Sequence, residues 1–356
     1  MKRLVMLGLV LLLAPWPASA AETYGPAAPV YREIGDWLIA CDNTRVCVAK
    51  AAPVEGSDTA PDTPGFIAFT RAAGPAGAAK VALASETAFE PQGLRLDGKP
   101  LAAAGWTYSK ADDDQELTGA AAIAFIKALR NGAVLQFGPG KDAPSASLKG
   151  LSAVLLAMDE AQGRLGNASA LARPGPAPAS ATPAPLAPPI VHAAPPLPRL
   201  ANADGLIEAV RKTQAKVLKA HECDSTDNRT DSAATLNAGE AIVVLNCTFA
   251  AYQGSVLAFR LPVKAPAQAR LLALPTPPTV PAEEVEAPGE FTEGGYDAKT
   301  ATFSESAKGR GPADCGTSAS WVFDGQAFHL SAFNRQDRCY GEPGDWPTLY
   351  RTTVAH

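Results

Sequence analysis

The 356-residue chain has few of the side chains that usually carry chemistry. Histidines number only four, methionines three, and charged residues make up 19% of the total. Basic residues (31) do not outnumber acidic ones (36), and the formal charge of −5 lacks the basic excess of a nucleic-acid-binding protein. After the first twenty residues nothing approaches the ~18 consecutive apolar residues of a membrane-spanning helix. No cysteine pair has Cys-x-x-Cys spacing, so a zinc module is not expected. There is no Gly-x-Ser-x-Gly nucleophile elbow. The acidic run Asp112-Asp113-Asp114 lacks the spaced ligands and central glycine of a calcium-binding EF-hand, and reads as a solvated loop. No cofactor, metal or catalytic residue is assigned from these patterns.

An address is present. Lys2 and Arg3 precede an apolar run, Leu4 to Leu13, and Ala18-Ser19-Ala20 fits the small-x-small rule of a secretory signal. Ten helical residues rise only about 15 Å against a hydrocarbon core of about 30 Å, too little to span it. Cleavage is expected after Ala20, with a periplasmic or secreted product. Loss of Lys2 and Arg3 takes the charge from −5 to −7.

All six cysteines (Cys41, Cys47, Cys223, Cys247, Cys315 and Cys339) follow that cut. In an oxidising compartment an even set reads as disulfides. Neighbour pairing, 41–47, 223–247 and 315–339, closes the shortest loops and is the expectation. The sequence does not fix the connectivity among the last four.

Proline locates a boundary. Ten of the 32 prolines fall between Leu171 and Leu200, where helix interior and central strand are disfavoured and an extended spacer is favoured. The organisation expected is a signal (1–20), a β-rich domain (21–170), a Pro/Ala-rich linker (171–200) and an α+β domain (201–356). The fold class is α+β: two strand-rich, disulfide-stapled domains, each with one or two helices. A second proline cluster, Pro275 to Pro288, reads as a surface loop.

Within the first domain, Trp37, Ile39 and Cys41 alternate as in a half-buried strand, and Asp97-Gly98 marks a hairpin. Thr118 is placed to cap a helix over 119–130, and a second helix is expected over 151–162. The second domain should open with a helix from about Asp204 to Ala220, with Leu206, Val210 and Val217 inward. Near the end, Asp324-Gly325 suggests a two-residue turn, which would set Trp321 opposite Phe328 and Ser320 opposite His329.

Candidate site residues are few. Lys308-Gly-Arg-Gly-Pro-Ala-Asp-Cys-Gly316 offers Lys308 and Arg310 to an anion, with Asp314 bonding local amides. The structural alternative, a tight loop presenting Cys315 to its partner, is favoured. Ser320 and His329, with Asp314 or Asp337 as orienter, are the nearest approach to a hydrolytic set. Trp37 and Trp321 read as core; Trp106 and Trp346, near turns, are candidates for ligand platforms but core packing is the default.

The 308–316 segment, together with Trp321-Val-Phe-Asp-Gly-Gln-Ala-Phe328, Cys339 and Trp346-Pro-Thr-Leu349, resembles a family of exported bacterial proteins catalogued as domain of unknown function 1176. The resemblance runs from about Tyr31 to the C-terminus. Gly35-Asp-Trp-Leu-Ile-Ala-Cys41 and Ser147 to Leu155 are similar to the opening and closing segments of invasion-associated locus B proteins. Those proteins carry a second cysteine pair before the helix, which Trp106 to Ala122 lacks. The resemblance implies an exported, non-enzymatic protein of Gram-negative bacteria and supplies no catalytic residues. The expected function is envelope binding or interaction, with a protein or glycan partner. The alternatives are a periplasmic hydrolase and an inhibitor of host lysozyme.

Overall fold

The computed structural model describes residues 29–52, 62–102, 104–223, 230–281, 288–340 and 346–356. The signal segment lies outside them. Among the described residues, no helix is long and apolar enough to cross a membrane.

The first half is a seven-stranded antiparallel sheet with two helices on one face. Its strands are β1 (Val30–Ile34), β2 (Trp37–Cys41), β3 (Cys47–Ala51), β4 (Phe66–Arg71) and β5 (Ala79–Ala84). The short hairpin β6 (Arg95–Leu96) and β7 (Lys99–Pro100) intervenes before β8 (Thr107–Ser109) and β9 (Asp114–Thr118). The sheet order is β1-β2-β3-β4-β5-β9-β8. Helix α1 (Gly119–Leu129) follows, then β10 (Val134–Gln136), β11 (Ser145–Ser147) and helix α2 (Leu151–Ala161). Alternation sends Trp37, Ile39, Ile67, Phe69, Val81 and Leu83 to one face, where they meet Phe125 and Ile126 of α1 and Val154 and Leu155 of α2. Each such side chain contributes roughly 1.5–3 kcal/mol when fully buried. Thr118 holds the cap position of α1, but its side chain makes no capping bond. Asp97 and Gly98 both take positive φ, 51° and 77°, as the hairpin expectation requires.

The two segments similar to locus B proteins lie against each other. Gly35 and Gly150 have positive φ, and their backbones touch so closely that a Cβ on Gly150 would sit 2.1 Å from Ile34 O. Ser147 Oγ donates to Asp36 at 2.5 Å, and Trp37 Nε1 donates to Ser147 O at 3.0 Å. That spacing is a packing motif.

The second half begins with the short strand β12 (Ile190–His192), then α3 (Ala203–Thr213) and α4 (Ala215–Ala220). Where one helix was expected, Gln214 breaks it with φ −100° and ψ 14°. Leu218 is buried beyond the break, and Val217, expected inward, is half-buried against the same core. One five-stranded sheet comprises β13 (Ser232–Thr235), β14 (Glu240–Phe249), β15 (Gly254–Pro262), β16 (Arg270–Leu271) and β17 (Glu290–Thr292). The other comprises β18 (Gly295–Asp297), β19 (Thr302–Lys308), β20 (Gly316–Phe323), β21 (Phe328–Gln336) and β22 (Thr348–Arg351), and β23 (Thr353–Ala355) ends the chain. α3 and α4 cover β14 and β15 through Leu206, Val210 and Leu218. A second core joins the two sheets through Phe291, Phe303, Trp321 and Phe333.

The Asp324 hairpin differs from expectation. Its loop has four residues, 324–327, closed by Asp324 N–H to Ala327 O at 3.0 Å. Asp324 Oδ1 accepts the amides of Gln326 and Ala327, both at 2.8 Å, which stabilises the wider loop. Phe323 therefore faces Phe328, Val322 faces His329, and Ser320 faces Ala332 beyond a bulge. The Ser320–His329 pairing does not form.

Pairing of the cysteines is 41–47, 223–247 and 315–339, with no free thiol. The proline-rich stretch is a strap held at both ends, where composition suggested a spacer. Leu171 lies in the first core, β12 pairs in parallel with β23, and the Ala194 amide reaches Phe323 O at 2.8 Å.

Candidate functional site

The four residues singled out from sequence are not gathered into one site. Lys308, Arg310 and Asp314 share the loop at one end of β19 and β20, whereas His329 lies toward the other end of the same sheet. Six register steps, from Lys308↔Gly316 to Thr302↔Val322, separate them by about 20 Å.

The 308–316 loop is organised internally. Arg310 Nε and Nη2 donate to the fully buried Asp314 carboxylate at 2.8 and 2.5 Å. Lys308 Nζ reaches Tyr252 O at 3.4 Å. Gly316, at φ 146°, lets the loop close on Trp346: a Cβ there would stand 2.2 Å from Ala307 O and 2.8 Å from the indole. Trp346 Nε1 donates to Ala313 O at 3.1 Å. Asp314, Cys315 and Cys339 cluster, but both sulfurs are committed to the disulfide. His329 Nε2 is bonded to Asp324 Oδ2 at 2.8 Å.

A large cavity lies elsewhere, on the face of the first sheet opposite its helices. Two parts of that face behave differently. At β2, the second half covers it: Ala40 packs into the second core, which is why β2 is buried at all five positions rather than alternately. Across β4 and β5 it stays open. The register sets Ala68 opposite Ala82, Phe66 opposite Ala84 and Thr70 opposite Lys80, and this row of mostly short side chains floors a groove of about 940 Å³. That volume is near the top of the roughly 300–1,000 Å³ range of ligand sites. One wall is Trp346-Pro347-Thr348 from the second half; the other is the β8–β9 turn with Asp112, Asp113 and Asp114.

Electrostatics of the acidic wall centre on Lys80. Its ammonium is 2.5 Å from Glu116 Oε1 and 3.8 Å from Asp112 Oδ2. Burial pulls its pKa down, but the Glu116 hydrogen bond and the charges of Asp114, Glu116 and Asp112 outweigh this and raise it overall. The carboxylates of Asp112, Asp114 and Glu116 lie within 4.8 Å of one another. The nearby ammonium supplies positive charge to this cluster.

Trp346, a candidate platform from its place near a turn, and Asp112 to Asp114, a solvated loop by composition, form the two walls. The groove itself was not foreseen, because its floor and walls come from three distant stretches. The only sequence trace is Ala68, Ala82 and Ala84, three small residues at outward-facing strand positions. Another cavity, of about 340 Å³, lies in the second half against Pro275, Phe291 and Trp321.

Three intrachain disulfides on a strand-rich α+β scaffold mark an extracytoplasmic protein. The chain belongs to the family described as Protein of unknown function (DUF1176), which matches residues 31–353. It is 29% identical over 359 residues to the Uncharacterized protein YpfG of Escherichia coli (strain K12), covering 92% of this chain and 94% of that protein. No solved structure matches the chain.

Proposed function

We propose that this is a periplasmic binding protein of the cell envelope, which holds a segment of its partner in the groove between Trp346 and the β8–β9 turn. The observation carrying this reading is the 940 Å³ groove, open across β4 and β5 while the β2 part of that sheet face is covered by the second half. The signal-like N-terminus and the resemblance of the first half to locus B proteins support the compartment. The groove floor is alanine, threonine and phenylalanine, which offer contact area and no paired nucleophile and base. A hydrolase built on Ser320 and His329 is disfavoured by a register that puts Val322 opposite the histidine.

Filling the groove tests this. Ala82→Trp places a large ring on the open face, away from the core. Fluorescence anisotropy with dansyl-labelled pentapeptides, together with a labelled N-acetylglucosamine tetrasaccharide, should detect binding to the parent protein. The same probes should lose it with Ala82→Trp at unchanged melting temperature. Binding that survives the substitution, or no binding of any probe, contradicts the reading.

A further inference from the structure

We propose that the segment held in this groove is an extended peptide bearing lysine or arginine. The inference rests on the groove reading above and adds to it the chemistry of the occupant.

Charge is the first argument. Four carboxylates line the groove (Glu86, Asp112, Asp113 and Asp114) against one ammonium, that of Lys80. Lys80 is already engaged by Glu116, diagonal to it on β9, and by Asp112. It therefore offers little to an incoming anion. The Asp112 side chain is 60% exposed, and Asp113 and Glu86 are exposed as well, so these carboxylates are available to a ligand. The raised Lys80 pKa reports the same negative field. A second cation entering here gains attraction from groups that are already held in place: Tyr108 donates to Asp113 at 2.5 Å and Ser109 to Asp112 at 3.1 Å.

Shape is the second argument. Ala68, Ala82 and Thr70 present a pleated floor with short side chains, on which an extended backbone can lie flat. The wall facing the carboxylates is Trp346-Pro347, an apolar surface suited to the methylene stem of lysine or the plane of arginine. A cationic side chain thus has a place for its stem on one side and for its charge on the other. A glycan would find few donors on an alanine floor. An acidic peptide would meet like charge.

The test uses the purified, disulfide-intact protein and three dansyl-labelled pentapeptides: Ala-Lys-Ala-Lys-Ala, Ala-Gln-Ala-Gln-Ala and Ala-Glu-Ala-Glu-Ala. The lysine peptide is expected to bind about tenfold more tightly than the glutamine peptide, with the glutamate peptide weaker still. Raising salt from about 50 mM to about 500 mM should erode that preference. Asp112→Asn with Asp113→Asn keeps the hydrogen-bond acceptors and should bring the lysine and glutamine peptides together. If all three peptides bind equally and Ala82→Trp still blocks them, the groove reading stands and the charge inference falls. If the tetrasaccharide binds in place of the peptides, the peptide inference falls while the groove remains. Binding of no probe, or binding that Ala82→Trp leaves intact, removes both.

Discussion

Arg338 of the second half donates from Nε to Glu33 Oε2 of the first at 2.6 Å, across more than three hundred residues of sequence. Its Nη1 also reaches the carbonyls of Gly35 at 2.6 Å and Ala52 at 3.1 Å. Beside it the Asp337 amide donates to Tyr31 Oη at 2.9 Å, and Arg335 lies over the Tyr31 ring. This cluster and the Asn43–Arg351 pair of hydrogen bonds, both at 3.0 Å, hold the second half on β1 and the β2–β3 turn. The groove depends on that clamp, because Trp346 lies in the same part of the chain.

Arg338→Ala removes an ion pair whose partners are 20% and 27% exposed, and it leaves two carbonyls without this donor. A loss of about 2–4 kcal/mol is expected in urea unfolding. Glu33→Gln keeps the carbonyl bonds and should cost about 1 kcal/mol or less. Equal losses would mean the carbonyl contacts contribute nothing.

The loop of Lys308, Arg310 and Asp314 is expected to behave as structure. Arg310→Ala removes the bidentate partner of a fully buried carboxylate and should cost about 2–4 kcal/mol, part of the full penalty being relieved by the partial exposure of the arginine. Lys308→Ala should stay within about 0.5 kcal/mol. Lys308→Ala should also leave peptide affinity unchanged, since Lys308 does not line the groove. Anisotropy alongside thermal melts would check both points.

The disulfides should rank by the loop they close. Separations of 24 residues for 223–247 and 315–339, against 6 for 41–47, imply losses of about 3–4 and about 2–2.5 kcal/mol on removal. Thiol titration of denatured protein should find no free thiol before reduction and six after it. Any thiol before reduction would reopen a cysteine nucleophile.

The Asp324 loop sets a pH dependence. Burial alone would raise the Asp324 pKa, but the Ala327 and Gln326 amides and then His329 more than offset it, and the pKa is lowered. A depressed carboxylate pKa contributes stability above the unfolded value, near 3.9, and that stability is lost as pH falls through the folded value. The stability difference between the parent protein and Asp324→Ala should therefore be present at pH 5 and shrink below about pH 4. A difference that grows on acidification would contradict the assignment.

Local rules made much of the fold legible. The Asp97-Gly98 hairpin, the 151–161 helix and the cysteine pairing follow from turn chemistry, periodicity and short loops. Where a side chain competed with the simplest turn, they failed: Asp324 capping two amides widened the loop and moved every pairing beyond it. Alternation in β2 predicted one buried face, and the packing of Ala40 against the second half buried the other. The groove was out of reach for the same reason. Its alanines acquire meaning only when Trp346 and Asp112 are brought beside them.

Amide chemical-shift mapping of the isotope-labelled protein with Ala-Lys-Ala-Lys-Ala tests the central claim most directly. The account predicts perturbations concentrated at Ala68, Ala82, Ala84, Asp112 to Asp114 and Trp346, and their disappearance with Ala82→Trp. Perturbations confined to the 308–314 loop or to the cavity beside Trp321, with the β4 and β5 amides unmoved, would contradict it.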